Sequence, residues 1–185
     1  MSSTRRSLSS TELKRLNRSW RRRTAGRLGV LLDGVQNPFN LGAIARTAAA
    51  IGVDRAWLVG AAGQLRGPKA QKMAMGSDRF VAWSEAASTA AALEEARTDG
   101  YRLVGVELSG GAQPIFELDL AGDVCLVLGH EERGLSATAL GSCGQLGYVP
   151  LTGRVGSLNV ATATGIALYE ARRQGWKQSE DGSGP

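Results

Sequence analysis

Residues 124–129 read VCLVLG and are followed at 130–136 by the polar segment HEERGLS. Six consecutive apolar or small residues leave no polar face, which is typical of a strand covered on both sides by other elements. Strands of this kind occur in parallel sheets, where crossover helices cover both faces. The run therefore predicts a central parallel strand, with polar residues collecting in the loop at its carboxyl end.

The segments on either side of this run alternate between strand and helix patterns. Strands are predicted at 28–33, 56–59, 79–83, 102–107, 123–129 and 146–149, and helices at 40–51, 85–98 and 157–174, with a short helix after Ser136. Repeated βα alternation indicates an α/β fold, a parallel sheet with helices on both faces. In such sheets ligands collect beyond the carboxyl ends of the strands, so the loops there are the candidate sites.

Composition limits the classes of protein to which the chain can belong. Its 185 residues are 43% hydrophobic and 21% charged, which fits one globular domain with an appendage. We expect an arm at 1–27, a folded domain at 28–175 and a flexible tail at 176–185. Because the apolar runs are short and the only cysteines are Cys125 and Cys143, we expect no transmembrane segment, no disulfide framework and no metal site. These features favour a cytoplasmic protein.

The arm carries most of the positive charge. Residues 1–27 contain nine Lys or Arg and one Glu, a formal charge of +8, whereas the remainder carries −3. Ser9 and Glu12 form a capping-box pattern that predicts a helix over 10–24. Three apolar side chains would share one face of that helix: Leu13, Leu16 and Trp20.

Basic side chains cover the rest of this helix. We expect five of them to bind RNA: Arg15, Arg18, Arg21, Arg22 and Arg23. Neutralising several phosphates releases counterions, so such an arm suits an anionic RNA. Three other interpretations stay open, namely a solvated charged tail, a helix lying on a membrane surface, and a cleaved organelle presequence.

Two of the loops that follow predicted strands carry polar residues in suggestive positions. In the first loop, Asn37 and Asn40 can cap a helix that carries Arg46, and a capped helix start with an arginine nearby can hold an anion. In the second loop, Glu131 and Arg133 follow the VCLVLG strand. Taken separately, each pattern is equally typical of a helix cap, a surface ion pair or a solvated turn.

The third loop reads TGRVGSLNV. Gly153 and Gly156 let the backbone approach a ligand closely, and Ser157 and Asn159 can cap the following helix or bind. The chain has neither G-x-G-x-x-G after its first strand nor G-x-x-x-x-G-K-[ST], so we expect neither a classical dinucleotide fold nor a P-loop nucleotidase. His130 is the one histidine, and no acid or nucleophile is identifiably paired with it.

The three loops occur together as NPFNLGAIARTA at 37–48, LVLGHEERGLS at 126–136 and VPLTGRVGSLNVATATGIALYE at 149–170. This combination resembles the SpoU (TrmH-like) branch of the SPOUT superfamily of RNA methyltransferases. The resemblance implies a parallel α/β domain with a C-terminal trefoil knot, which is an exception to the rule that chains avoid knots. It also implies a homodimer.

The same resemblance implies S-adenosylmethionine as the cofactor. By their positions in the motifs, five residues are assigned to its pocket: Val106, Gly129, Val149, Leu151 and Leu158. These residues are apolar or small and would equally suit a hydrophobic core. Their place in the motifs is therefore what selects them.

The implied reaction is methyl transfer to a ribose 2′-hydroxyl of RNA. An alkyl hydroxyl is a poor nucleophile at neutral pH, so its proton must leave as the methyl donor is aligned. The catalytic arginine of the family corresponds to Arg46, surrounded by a polar set: Asn40, Glu131, Ser157 and Asn159. Because a guanidinium is a poor base, two roles for Arg46 stay open: proton acceptor, or organiser of the RNA phosphate and the hydroxyl.

The short basic arm stands where larger relatives carry an N-terminal RNA-recognition domain, which favours tRNA over ribosomal RNA as the substrate. Ribosomal RNA stays an alternative. A non-catalytic RNA-binding or assembly protein with the same fold would lack members of the polar set, which is complete here. A small-molecule methyltransferase would not need an arm of charge +8.

Overall fold

The computed structural model describes residues 6–61 and 63–181, with side chains as far as residue 176. Its helices are α1 (Ser10–Arg22), α2 (Pro38–Ile51), α3 (Pro68–Ala74), α4 (Thr89–Thr98), α5 (Ala137–Ser142) and α6 (Val160–Asp181). Its strands are β1 (Leu28–Asp33), β2 (Arg55–Val59), β3 (Ala82–Ala86), β4 (Arg102–Val106), β5 (Gln113–Pro114), β6 (Val124–Gly129) and β7 (Gln145–Tyr148).

The strands form one sheet in the order β3-β2-β1-β6-β4-β7-β5, and its pairings are parallel. The central strands β1 and β6 are buried along their whole length. Along β6 the side chains alternate: Leu126 and Leu128 face a core that includes residues of α2, α3 and α6, whereas Cys125 and Val127 face a second core with residues of α4 and α5. This confirms the prediction of a parallel sheet with helices on both faces. The trefoil knot stays a prediction.

Five of the six predicted strands lie within one residue of their observed bounds, and the exception is β3. The predicted strand at 79–83 was wrong, because β3 occupies Ala82–Ala86. The preceding residues Asp78–Phe80 form a single 3-10 turn, and the indole Nε1 of Trp83 donates to the Asp78 carbonyl at 3.2 Å. A local turn at the sheet edge therefore displaces the strand by three residues.

The helix predicted from residue 85 begins four residues later. The side chain of Ser88 accepts the backbone N–H of Ala91 at 3.2 Å and caps α4. A serine cap of this kind fixes the start of a helix more firmly than helix propensity does. The residues between 85 and 88 were wrongly assigned to this helix, because Glu85 belongs to β3.

The sequence did not predict α3. Only Ala70 and Ala74 of its seven residues are buried, so the segment shows no stripe of large apolar residues. It packs directly on α2 at Gly42, where a Cβ atom would lie 2.3 Å from the carbonyl oxygen of Ala70. Since real Cβ atoms do not approach backbone oxygen that closely, glycine at residue 42 permits the contact between the two helices.

The helix predicted over 157–174 begins at Val160, three residues later, because Asn159 caps it, and it extends to Asp181 in α6. The tail expected at 176–185 thus begins within this helix, and its flexibility stays a prediction. The ring of Trp176 packs against that of Trp20 with centroids 4.8 Å apart, which gives this part of the helix a tertiary partner. Residues 182–185 of the predicted tail lie outside the described residues.

The amino-terminal end of α1 confirms the predicted capping box. The backbone N–H of Ser9 donates to a Glu12 carboxylate oxygen at 2.8 Å, and the Glu12 N–H donates to the Ser9 hydroxyl oxygen at 3.4 Å. Arg6 also pairs with the Glu12 carboxylate at 2.6 Å. These bonds, with that from Arg6 as the largest influence, lower the pKa of Glu12 to about 2. The helix ends at Arg22, two residues before the predicted end.

The carboxyl end of α1 is docked on α6, although no residue of α1 is buried. The indole Nε1 of Trp176 donates to the Thr24 hydroxyl at 2.9 Å, beside the Trp20 and Trp176 ring contact. Arg172, which is buried, donates to the Gly26 carbonyl at 3.0 Å. The basic helix is thus attached to the domain at its carboxyl end.

Acidification should loosen α1. Because the folded-state pKa of Glu12 is lowered from 4.5 to about 2, its stabilising contribution is complete above about pH 5 and is lost as the pH falls towards 2. We expect hydrogen-exchange protection factors of α1 to fall over that interval relative to those of β6. The variant Glu12→Gln keeps a neutral acceptor and should show no such transition; an identical transition in both proteins would contradict this assignment.

Candidate active site

A cavity of about 620 Å³ lies at the carboxyl ends of β4 and β6 and under the loop that leads into α6. It brings together all five residues predicted to hold the cofactor: Val106, Gly129, Val149, Leu151 and Leu158. Glu131 and Ser157 of the predicted polar set also line it. Three segments that are distant in sequence therefore enclose one space.

The loop after β6 folds back tightly to form one wall of this cavity. His130 and Gly134 exchange two backbone hydrogen bonds of 3.0 and 2.9 Å. A Cβ atom at residue 129 would lie only 2.1 Å from the backbone of Gly134, so Gly129 is required for this return. The Nδ1 atom of His130 accepts the Glu132 N–H at 3.0 Å, which commits that nitrogen to holding the turn.

A chain of hydrogen bonds connects the three polar loops. Glu131 Oε1 accepts from the Asn40 side-chain amide at 2.9 Å and from the Asn37 N–H at 3.3 Å. The Asn40 oxygen in turn accepts from the Asn159 side-chain amide at 2.9 Å. Asn159 caps α6 through its own oxygen, which accepts the Ala161 N–H at 2.9 Å. We call the side chains Glu131, Asn40 and Asn159 the polar relay.

The polar relay keeps Glu131 ionised. Partial burial of this carboxyl raises its pKa, but the hydrogen bonds from the Asn40 amide and from the backbone N–H groups of Glu131 and Asn37, together with the charge of His130, outweigh burial, so the pKa is lowered. A carboxylate with a lowered pKa is a weaker proton acceptor than an ordinary one. The geometry therefore makes Glu131 an anchor for the loops and a poor general base.

The structure places Arg46 apart from the polar relay. Asn40 and Arg46 are six residues apart on α2, which puts them about 120° apart around a helix of 3.6 residues per turn. Arg46 is exposed, and its Nη1 atom lies 2.7 Å from the sulfur of Met75. In one chain the guanidinium does not line the cavity that holds Glu131 and Ser157.

A second cavity, an apolar groove of about 820 Å³, runs between α2 and α6. Four large side chains at its surface are about half exposed: Phe39, Phe116, Ile166 and Tyr169. Asn40 and Asn159 of the polar relay line this groove, and Val149 lines both cavities. The groove and the smaller cavity therefore meet at the polar relay.

Sequence reasoning missed two acidic residues at strand ends. Glu107 lines the cavity, and its carboxylate accepts the Leu135 N–H at 3.1 Å. The buried Asp33 accepts the Ser136 N–H at 2.8 Å and the Thr89 hydroxyl at 2.6 Å. An acidic residue at the carboxyl end of a buried parallel strand is a signal that could have identified both.

Two negative findings apply to the described ranges, 6–61 and 63–181. Within them, no three His, Cys, Asp or Glu side chains gather in a way that could hold a metal ion. None of the helices in the same ranges is both long enough and apolar enough to span a membrane.

The fold and these cavities define a class of protein: a parallel α/β domain with a small-molecule cavity at the carboxyl edge of its sheet, beside a cluster of polar side chains. The SpoU rRNA methylase family matches residues 27–169. This chain belongs to that family, which confirms the resemblance seen in the three loop motifs.

Individual relatives support the same conclusion. The 23S rRNA (guanosine-2′-O-)-methyltransferase RlmB of Acinetobacter baylyi is 38% identical over 144 residues, which are 77% of this chain and 58% of the relative. The AdoMet-bound rRNA methyltransferase structure from Sinorhizobium meliloti has a TM-score of 0.75 at 35% identity, covering 80% of this chain and 57% of that one. The chain thus spans less than two thirds of either relative.

A structure of more similar length is that of the A. aeolicus TrmH/SpoU tRNA modifying enzyme. It has a TM-score of 0.74 at 30% identity, and the match covers 90% of this chain and 85% of that one. The shared architecture therefore extends over nearly the whole of both chains.

Breaking the polar relay should raise the pKa of Glu131 and destabilise the fold. The variant Asn40→Ala removes a donor to the carboxylate and the acceptor of Asn159, at a cost of about 1–2 kcal/mol. Carbon-detected NMR titration and thermal denaturation measure the two effects. The control Gln36→Ala removes a nearby exposed amide bonded to the Gly60 carbonyl and should leave Glu131 unchanged. An unshifted Glu131 in Asn40→Ala would show that the relay does not control its ionisation.

Proposed function

We propose that this protein is an S-adenosylmethionine-dependent RNA methyltransferase that acts on a ribose 2′-hydroxyl. The observation that carries the proposal is the cavity of about 620 Å³, because it unites the five motif-assigned cofactor residues with Glu131 of the polar relay. The activity for which the RlmB relative is named, guanosine-2′-O-methylation of 23S rRNA, supports the same chemistry.

S-adenosylmethionine fits this cavity in size and in chemistry. Its volume of about 620 Å³ lies within the usual range for small-molecule sites. Val106, Leu151 and Leu158 supply apolar walls, and the Glu107 carboxylate can accept hydrogen bonds from ribose hydroxyls. When bound, the cofactor supplies a methyl group on a positively charged sulfonium.

The chain has to activate the hydroxyl and hold it in line with the methyl donor. Glu131 is a weak base because of its lowered pKa, so we assign it the role of holding the loops in place. Arg46 supplies positive charge for the negative charge that develops on the hydroxyl oxygen as its proton leaves. Ser157, Asn40 and Asn159 provide further polar groups at the mouth of the cavity.

We propose that the protein works as a homodimer, with the apolar groove as the contact surface. Exposed side chains such as Phe39 and Tyr169 are costly to leave in water, and the groove is continuous with the polar relay. A second copy seated there would lie beside the cofactor cavity. Because Arg46 does not line that cavity in its own chain, the dimer can supply it from the partner.

The proposed substrate is RNA, with tRNA favoured and ribosomal RNA as the alternative. The α1 helix presents its basic side chains to solvent, which suits a contact with several phosphates. The match to a tRNA modifying enzyme over 85% of its length supports tRNA, whereas the RlmB relative supports ribosomal RNA. Either substrate is consistent with a cytoplasmic protein.

Transfer of labelled methyl from S-adenosylmethionine to tRNA and to ribosomal RNA tests the activity. Nuclease digestion and nucleoside mass analysis should find a 2′-O-methylated nucleoside in one of the two pools. The variant Leu158→Glu should lose cofactor binding by calorimetry, because a charge would enter an apolar wall, whereas Leu158→Met should retain it. Absence of transfer by a chain that binds the cofactor would favour the non-catalytic RNA-binding alternative.

Replacing the arginine on α2 tests its role and the dimer together. We expect Arg46→Ala to lower the transfer rate about 10²- to 10³-fold while calorimetry shows unchanged cofactor affinity. Mixed dimers of Arg46→Ala with Leu158→Glu should regain transfer if the arginine acts on the partner's cavity, since one complete site forms. If only homodimers of the native chain are active, Arg46 acts within its own chain.

A further inference from the structure

Apart from Arg46, Arg133 and Arg154, the arginines of residues 27–176 fall into two groups that differ in their partners. Six of them lie within 4.0 Å of a carboxylate oxygen: Arg27, Arg55, Arg97, Arg102, Arg172 and Arg173. In these pairs the charge is already compensated by the fold itself. Such residues have little positive charge left to offer an anionic partner.

A second group surrounds α3. Four basic side chains in this region are exposed and form no ion pair with a carboxylate in the part of the chain that the structure describes: Arg66, Lys69, Lys72 and Arg79. The acidic residue of the same region, Asp78, accepts a hydrogen bond from Gln71 at 3.0 Å. The positive charge of this region is therefore directed to solvent.

Exposed aromatic rings stand next to two of these cations, and of the two rings only Phe80 lies outside the apolar groove proposed as the dimer contact. The ring of Phe80 is 66% exposed, and the Arg79 guanidinium lies 4.8 Å from its centroid. The ammonium of Lys69 lies 6.0 Å from the centroid of Phe39. Phosphates bind cations and unpaired bases stack on aromatic rings, so cations interleaved with exposed rings suit single-stranded nucleic acid.

The region is also fixed relative to the candidate active site. α3 packs on α2 at Gly42, where the backbones approach too closely for any side chain. α2 carries Asn40 of the polar relay at its start and Arg46 along its exposed side. A ligand held by α3 would therefore have a defined position relative to the cavity.

We propose that Arg66, Lys69, Lys72, Arg79 and Phe80 form a second RNA-contact surface, separate from the basic helix α1. We call it the α3 surface. It binds phosphates of the substrate RNA on both sides of an unpaired base that stacks on Phe80. This inference rests on the proposed function, because it names a further contact for the same RNA substrate.

Other anionic partners fit the α3 surface less well. A membrane surface requires a large apolar face for insertion, whereas α3 has only seven residues and turns its two buried alanines inward. An acidic protein segment would be attracted by the cations, but its carboxylates would make no stacking contact with the exposed ring of Phe80. The combination of four cations with Phe80 therefore favours RNA.

Binding of a fluorescent tRNA transcript and of 23S ribosomal RNA to the full chain, at several KCl concentrations, tests the proposal. Arg66→Gln/Arg79→Gln should raise the Kd for the bound RNA at least about tenfold and reduce the slope of log K against log salt by about 1.5–2. The matched control Arg97→Gln/Arg102→Gln removes the same charge from exposed, ion-paired arginines and should change the Kd less than about twofold.

The aromatic part of the surface has its own test. Phe80→Ala should weaken RNA binding about tenfold with an unchanged salt slope, because stacking releases no counterions, and Phe80→Trp should restore binding. In all variants the affinity for S-adenosylhomocysteine, measured by calorimetry, should equal that of the native chain, which separates the surface from the cavity.

The outcomes distinguish this proposal from the one on which it rests. If the native chain binds RNA and transfers methyl groups while the α3 variants behave like the control pair, the α3 surface alone is overturned. Equal weakening by both arginine pairs would also overturn it, because net charge alone would explain the loss. A native chain that binds neither RNA overturns both proposals.

Discussion

The polar relay is the interaction on which the arrangement of the site depends. Glu131 and Asn40 are 91 residues apart in sequence, and Asn159 is 119 residues from Asn40, yet two hydrogen bonds of 2.9 Å join all three. Each of these side chains also holds a local structure: Asn159 caps α6, and Glu131 accepts the N–H of Asn37 at the start of α2. The same bonds that close the cavity therefore fix the starts of two helices.

The sheet makes these contacts possible because neighbours in space are not neighbours in sequence. β6 lies between β1 and β4, so the loop after β6 meets the loop after β1 on one side and the end of β4 on the other. The tight return at Gly129 then brings this loop over the strand end, where a larger residue would collide with Gly134. Because of the strand order and the glycine at residue 129, three loops that are distant in sequence enclose a single cavity.

Sequence patterns predicted the parts of this structure whose signal is local. β6 is a continuous apolar run and β1 is one as far as Leu32, and the capping box of Ser9 and Glu12 is a short-range hydrogen-bond pattern. The edge strand β3 and the helix α3 were mislocated or missed because half-exposed elements with small buried residues leave a weak pattern. Hydropathy periodicity carries no information about the side-chain contacts of the polar relay. Only the resemblance of the three motifs to a known family placed these residues in one group. That grouping included Arg46, which helical spacing places on another side of α2.

Helix α6 sets the distance between the basic helix α1 and the candidate cofactor cavity. Its amino-terminal end is capped by Asn159 of the polar relay, and Trp176 near its other end holds Trp20 of the basic helix. An α-helix rises 1.5 Å per residue, so Asn159 and Trp176 lie about 25 Å apart along α6. This distance equals about seven base steps of a stacked nucleic-acid strand. A ligand that contacts α1 and the cavity together is therefore much larger than a nucleotide. A folded RNA meets that requirement, and a small methyl acceptor does not.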